Sequence, residues 1–226
     1  MSTPLLLKIR AALRAIADPK RAPAMQAYMK STMPYHGVSA GEMRAVAKRV
    51  FAEHELGDAA SWRADVLAIW NGATHREERY VAIALCGDKR ARPFQTLDAL
   101  PMYEHMIVSG AWWDYADELA THRVGDLLRA HPAAMKRHML AWSKSSMWKA
   151  RTSIICQNRS KADTDLELLY ACIEPSLASK EFFLRKAMGW ALREVAWRDP
   201  KEVKRYVKAH DAELSGLSKR EALKNV

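Results

Sequence analysis

The sequence predicts an all-α protein, and three observations carry that reading. Helix start and stop signals recur along the whole chain. Between them, apolar residues return at spacings of three and four, as in Met43, Val46, Ala47 and Val50, or Leu184, Met188, Ala191 and Val195. No window shows clean period-two alternation rich in Val, Ile and Thr, and no hairpin turn signal appears.

The elements follow in order. MSTPLLLKIRAALRAIA, residues 1–17, has three basic residues and no acidic one. Its apolar run is short and lacks a cleavage signature, so it reads as the first helix of the fold rather than a targeting segment. Pro23, Pro132 and Pro200 stand where helices begin, since proline is tolerated in a first turn. Ser39 with Glu42, Thr74 with Glu77, and Ser218 with Glu221 each fit the S/T-x-x-E capping box. Asn71-Gly72 and Ser109-Gly110 look like helix stops. Together these marks imply roughly a dozen helices of ordinary length. Helices starting near Thr74, Trp112, Met147 and Lys180, each pair with another helix between, are spaced by 38, 35 and 33 residues. That is the scale of two-helix solenoid repeats of the HEAT or armadillo kind, although the repeats are degenerate in sequence.

The chain has 226 residues, ample for a core, with 49% hydrophobic and 27% charged residues, as in ordinary folded proteins. Lys+Arg number 36 against 26 Asp+Glu, a net charge of +10. A field of that sign favours polyanions, either nucleic acid or an acidic membrane surface. A basic but inert surface is the plainer alternative. Cys86, Cys156 and Cys172 are odd in number and form no C-x-x-C, which points to reduced, buried thiols in a cytosolic protein. The eight histidines show no metal-ligand spacing, so no metal site is expected. No apolar run approaches the 18 residues or so that a membrane span needs.

Chemistry concentrates in a few stretches. In SGAWWDYADELA, residues 109–120, Trp113 and Asp117 are four apart and share one helical face. A buried Asp beside Trp is costly without a partner, and an exposed Trp needs something to cover it. In residues 179–200, Lys186, Trp190 and Arg193 share a face opposite the apolar one. A tryptophan bracketed by cations fits a nucleic-acid surface. On these residues alone, packing of Trp190 on the next repeat, with solvated cations, is slightly the better reading. Arg151 and Arg159 are eight apart and face the same way. Residues 180–226 hold 12 Lys/Arg and 7 Asp/Glu, a local surplus of five positive charges.

Nearly end to end, the chain resembles the AlkD-type bacterial DNA alkylation-repair glycosylases. The resemblance runs through MQAYMK at 25–30, SGAWWDYAD at 109–117, MWKAR at 147–151, SKEFFLRKAMGWALRE at 179–194 and LSKREALK at 217–224. The tryptophan pair with its spaced Asp and the FF-x-x-KA-x-GW-x-LRE run are together specific; a lone WWD would not be. The implied fold is a right-handed superhelical solenoid of HEAT-like antiparallel helix pairs with a concave basic cleft, forming one domain over 1–226. The resemblance places the catalytic carboxylate at Asp117 and the active-site tryptophans at Trp113 and Trp190. It places an arginine near the lesion at Arg151 and a cleft tyrosine at Tyr28. Arg159 stands where a lysine is expected, keeping the charge. Lys186, Arg44 and Arg193 complete the expected DNA-binding set. Around VSAGEMR, residues 38–44, the chain departs from the family, which puts contacts to the opposing strand in question.

The implied reaction is removal of N3- or N7-alkylated purines from double-stranded DNA. Such a base is cationic and already a good leaving group, so one carboxylate can suffice where glycosidases ordinarily use two. Asp117 would stabilise the oxocarbenium-like sugar and position water, and the two tryptophans would cradle the sugar without base flipping. Asp114, in the first turn of its helix, is assigned to the helix dipole rather than to catalysis, and Trp112 to core packing. No cofactor, membrane or obligatory protein partner is implied; a monomeric, cytoplasmic bacterial enzyme is. Two alternatives stay open: a catalytically silent relative that binds damaged or branched DNA, and a HEAT-type scaffold for proteins. The scaffold gives no reason for a Trp–Asp pair flanked by Arg.

Overall fold

The computed structural model describes residues 3–226. Among them there is no β-strand, and fourteen α-helices follow in chain order. They are Pro4–Arg14 (α1), Ala22–Tyr28 (α2), Ala40–Ala52 (α3), Ala59–Gly72 (α4), Arg76–Cys86 (α5), Leu100–Gly110 (α6) and Trp113–Glu118 (α7). Then come Gly125–Ala130 (α8), Pro132–Ser143 (α9), Met147–Ile155 (α10), Leu166–Ile173 (α11), Phe182–Ala196 (α12), Pro200–Ala209 (α13) and Gly216–Ala222 (α14). A single π-helical turn, Leu119–Val124, joins α7 to α8. Successive helices pack as pairs, α4 on α5 and α9 on α10, as a repeat built on helix pairs requires. No described helix is long and apolar enough to cross a membrane.

The chain divides into two compact units, Met1–Met102 and Tyr103–Val226, with the division in the first turn of α6. In the first, α1 buries Leu5, Leu6, Ile9 and Leu13 against α3, α4 and α5. The core there includes Val46, Val50, Trp62, Ile69, Trp70, Val81 and Leu85. Two carboxylates are buried with them. Glu77 accepts the backbone N–H groups of His36, Gly37 and Val38. Glu78 accepts two hydrogen bonds from Arg10, at 2.8 and 2.9 Å, and one from the Thr74 N–H. Burying these charges is tolerable because every oxygen has donors.

Local rules explain the helix ends, with two corrections. The Ser39–Glu42 capping box forms. The Thr74–Glu77 box does not: α5 starts after His75, because Glu77 is drawn to the 36–38 loop and Glu78 takes the Thr74 N–H. The Ser218–Glu221 box is also absent. Ser215 is the N-cap of α14, and Ser218 instead donates to the Arg185 carbonyl at 3.0 Å. His36, His75 and Glu78 come within 4.8 Å of one another, a grouping their sequence spacing hides. The two rings stack at 3.8 Å, and Arg10 already occupies the Glu78 oxygens.

In the second unit α10 is central, packing on α9, α11 and α12. Met135, Met139, Ile154, Ile155, Leu168, Cys172, Met188 and Leu192 fill its core. The expected apolar face of α12, Leu184, Met188, Ala191 and Val195, is buried throughout. Cys86, Cys156 and Cys172 are all buried.

Candidate active site

The site is built from the second unit alone. α6 ends at Gly110, and the chain reverses at Ala111, whose φ of +43° lies in the left-handed region that a side chain disfavours by about 1–2 kcal/mol. Strain of this kind tends to persist where a functional geometry depends on it. Trp112 is extended and α7 begins at Trp113. Tyr115 and Ala116 are buried and anchor α7, leaving Trp113 and Asp117 on its accessible side. Trp113 is 36% exposed. Asp114 accepts the N–H of Tyr115 at 3.0 Å in the first turn, in keeping with a helix-end role. The π turn follows at once, and the Thr121 hydroxyl donates to the Asp117 carbonyl at 2.8 Å. Such turns interrupt the α ladder and are frequent at functional sites.

The Asp117 side chain is 19% exposed and has one dominant partner. Arg151 of α10 donates Nε to Oδ1 and Nη2 to Oδ2, each at 2.7 Å. Its Nη1 donates to the Phe183 carbonyl at 2.5 Å. Trp112, Trp148 and Phe183 form an aromatic cluster with ring centroids 5.0 to 6.4 Å apart, and the Arg151 guanidinium lies 5.9 Å from the Phe183 ring centroid. Burial pushes the Asp117 carboxyl above the ordinary aspartate range, and the Arg151 guanidinium opposes that rise.

Two depressions meet at Asp117. One, of about 330 Å³, is lined by Trp113, Asp117, Arg151, Phe182, Phe183, Lys186, Trp190, Arg193 and Glu221. The other, of about 550 Å³, shares Trp113, Asp117 and Trp190 and adds Asp114, Glu118, His122, Asn158, Arg159 and Glu194. The Trp190 indole N–H donates to Glu194 one turn on, at 2.9 Å, which fixes its ring. Arg159 donates to His122 Nε2, leaving His122 Nδ1 towards Glu118. Lys186 and Arg193 both contact Glu221, at 2.9 and 2.7 Å.

The structure therefore brings Asp117, Trp113, Trp190, Arg151, Lys186 and Arg193 into one depression, and Arg159 into the adjoining one. Arg151, expected among the DNA-contacting cations, is buried with three nitrogens engaged by Asp117 and Phe183. Tyr28, 78% exposed on α2, and Arg44, exposed on α3, belong to the first unit. Trp112 packs against Trp148 and Phe183, as a packing role requires. Sequence reasoning missed Phe182, 57% exposed at the site's edge, and also Glu194, Asn158, His122 and Glu221. Glu194 could have been found, being four residues after Trp190. Glu221 was hidden behind its apparent capping box.

The chain is similar to known proteins over nearly its whole length. The family model described as DNA alkylation repair enzyme matches residues 9–226. A solved structure described as a predicted DNA alkylation repair enzyme from Enterococcus faecalis superposes with a TM-score of 0.83 at 26% identity. It covers 93% of this chain and 96% of its own. Among curated proteins there is no match.

Proposed function

The chain belongs to the DNA alkylation repair enzyme family, and within it we propose that this protein is a glycosylase releasing cationic N3- or N7-alkylated purines from duplex DNA. The family supports DNA as the partner and an enzymatic role. The observation that carries the finer reading is Asp117, whose two side-chain oxygens each accept a hydrogen bond from Arg151 in a depression also lined by Trp113 and Trp190. A buried carboxylate without that arginine would drift towards its neutral acid and lose the charge the reaction needs.

The chemistry is a hydrolysis. The bond between sugar C1′ and the purine nitrogen breaks, and its electron pair neutralises the cationic base, which leaves without protonation. Positive charge develops on the sugar, and the Asp117 carboxylate stabilises it. Water forms the new C1′–O bond, and its proton passes to Asp117 or solvent. The faces of Trp113 and Trp190 attract the same cationic centre. Arg159, Lys186 and Arg193 act on the phosphates, and Tyr28 and Arg44 of the first unit are proposed as further DNA contacts in their own right. The reading is of a monomeric, cytoplasmic enzyme that needs no cofactor or protein partner.

The test is base release from a duplex containing N7-methylguanine, followed under single turnover. Release above the spontaneous rate, lost in Asp117→Asn, is expected. Tight binding of the duplex with no release would establish the catalytically silent reading instead.

A further inference from the structure

Resting on the DNA reading just given, we infer that Glu221 is a built-in stand-in for a DNA phosphate, occupying the cation pair Lys186–Arg193 until the duplex displaces it. Three features carry this. First, the Glu221 carboxylate presents one oxygen to each cation, Oε1 to Lys186 Nζ at 2.9 Å and Oε2 to Arg193 Nη1 at 2.7 Å. That is the pattern in which two non-bridging oxygens of a phosphodiester would be held. Second, the three side chains line the same depression as Asp117, Trp113 and Trp190, so the anion they would hold lies next to the reacting sugar. Third, the fold goes out of its way to bring Glu221 there.

That third feature is a close approach of α14 to α12. A Cβ at Gly189 would collide with the Glu221 Cβ and lie 2.8 Å from the Ser218 carbonyl oxygen. Only glycine at 189, directly before Trp190, lets α14 seat this deeply. Ser218 locks the contact through its hydrogen bond to the Arg185 carbonyl. The carboxyl itself is held below the ordinary glutamate range, first by Lys186 and then by Arg193, so it is anionic at neutral pH. Lys186 is 37% exposed, which leaves an arriving phosphate a way in.

The physical consequence is competition. Two cations and one internal anion leave a net charge of +1, enough to keep the pair ordered but discounting its attraction for DNA. Displacing Glu221 exposes both cations to one phosphate, and the displacement lowers affinity for every duplex alike. An enzyme that must leave undamaged DNA quickly benefits from such a discount.

The test measures binding of an undamaged duplex by fluorescence anisotropy over a salt series. The proteins are wild type, Glu221→Gln, Lys186→Gln and the double variant. Glu221→Gln is expected to bind several-fold tighter, with a log–log salt slope steeper by up to about 0.9, the equivalent of one more phosphate. Lys186→Gln should cost more affinity in the Glu221→Gln background than in wild type. A weaker or unchanged Glu221→Gln, or a smaller Lys186→Gln penalty in its background, means that Glu221 merely orients the cations and overturns the inference. Should the variants melt below the assay temperature, the assigned carboxyl ¹³C resonance of Glu221 is followed in wild type as duplex is added. A shift at saturation supports displacement, and an unmoved resonance overturns it. A wild-type chain that binds no duplex removes the DNA reading and this inference together, whereas wild-type binding with an unaltered Glu221→Gln removes this inference alone.

Discussion

Arg151 grips Asp117 through two parallel hydrogen bonds of 2.7 Å, and this pairing sets how the site must respond to pH. Burial raises the Asp117 carboxyl and the guanidinium restrains it. The sign for stability follows directly. A carboxyl raised above its unfolded value binds more protons folded than unfolded across that interval, so stability falls as pH rises through it. Burial is therefore what costs stability as the carboxyl ionises, and the Arg151 guanidinium reduces that cost.

Replacing Arg151 by Gln removes the restraint and keeps a hydrogen-bonding side chain. In the proposed mechanism base release requires ionised Asp117, so the rate should fall as pH drops through its pKa. Without the guanidinium that fall should move to higher pH by about 1–3 units, the usual effect of an adjacent opposite charge. Single-turnover rates from pH 5 to 9 on an N7-methylguanine duplex measure it. An acid limb that stays in place would show that Arg151 serves packing alone.

Asp117→Asn keeps the shape and removes the charge. Base release should fall by at least about 10²–10³-fold, the scale for losing one preorganised electrostatic group. DNA binding should persist. The Arg151 guanidinium then loses its counter-charge in a buried setting, so the melt should show a loss of about 1–3 kcal/mol. Single-turnover release near the wild-type rate would sink the assignment.

In the proposed mechanism the two tryptophans share the sugar cradle, so each should matter less than the carboxylate. A cation–π contact contributes about 0.5–2 kcal/mol, which corresponds to losses of about 2- to 30-fold for Trp113→Ala or Trp190→Ala. Glu194 holds the Trp190 ring by one hydrogen bond. Glu194→Gln preserves that acceptor and should stay near wild type, while Glu194→Ala should approach the Trp190→Ala rate. If Glu194→Gln and Glu194→Ala lose activity equally, the ring is not being oriented this way.

DNA affinity should fall steeply with salt and depend little on sequence, each neutralised phosphate adding about −0.9 to the log–log slope. Arg159 is exposed and its contact is with His122 rather than with a carboxylate. Arg159→Ala should therefore weaken binding to all duplexes and flatten the slope. Arg151→Ala should alter the slope less, because its guanidinium is committed to Asp117 and Phe183. A flat salt response in wild type would favour a protein scaffold.

The fold class and the Trp113–Asp117 pairing were legible because they rest on local spacing, whereas Trp190 entered the site only through the family resemblance. Trp113 and Asp117 lie one turn apart in any helix, and the α12 face pattern needs only its own residues. What stayed hidden depends on contacts between helices distant in sequence. The Arg151–Asp117 pair joins α10 to α7 across 34 positions. Arg151 read as a surface cation because nothing nearby in sequence announces its partner. Thr74–Glu77 and Ser218–Glu221 had capping spacing, but tertiary partners captured both glutamates, Glu77 by the 36–38 loop and Glu221 by Lys186 and Arg193. A local motif predicts a local bond only when no stronger long-range donor competes for the same oxygen.

The choice of lesion should follow from what the site does not contact. Asp117, Trp113 and Trp190 are proposed to act on the sugar, and none of them reads a base edge. Many glycosylases instead flip the target base into a fitted pocket, whose walls limit what enters. Here Trp113 and Phe182 at the edge of the depression are 36% and 57% exposed, so that edge is open rather than enclosing. Selectivity would then come from the lesion's own positive charge and its weakened glycosidic bond. A neutral base leaves as an anion unless an acid protonates it, and in the proposed mechanism Asp117 acts as a carboxylate and not as that acid. It follows that bulky cationic N7 adducts should be released about as readily as methyl adducts, whereas uracil and hypoxanthine should remain. The measurement is a parallel single-turnover series on methyl, bulky-alkyl and neutral lesions in one duplex context. Rejection of the bulky adduct, or efficient uracil release, would reveal a conventional base pocket and a general acid, and the sugar-directed mechanism would have to be abandoned.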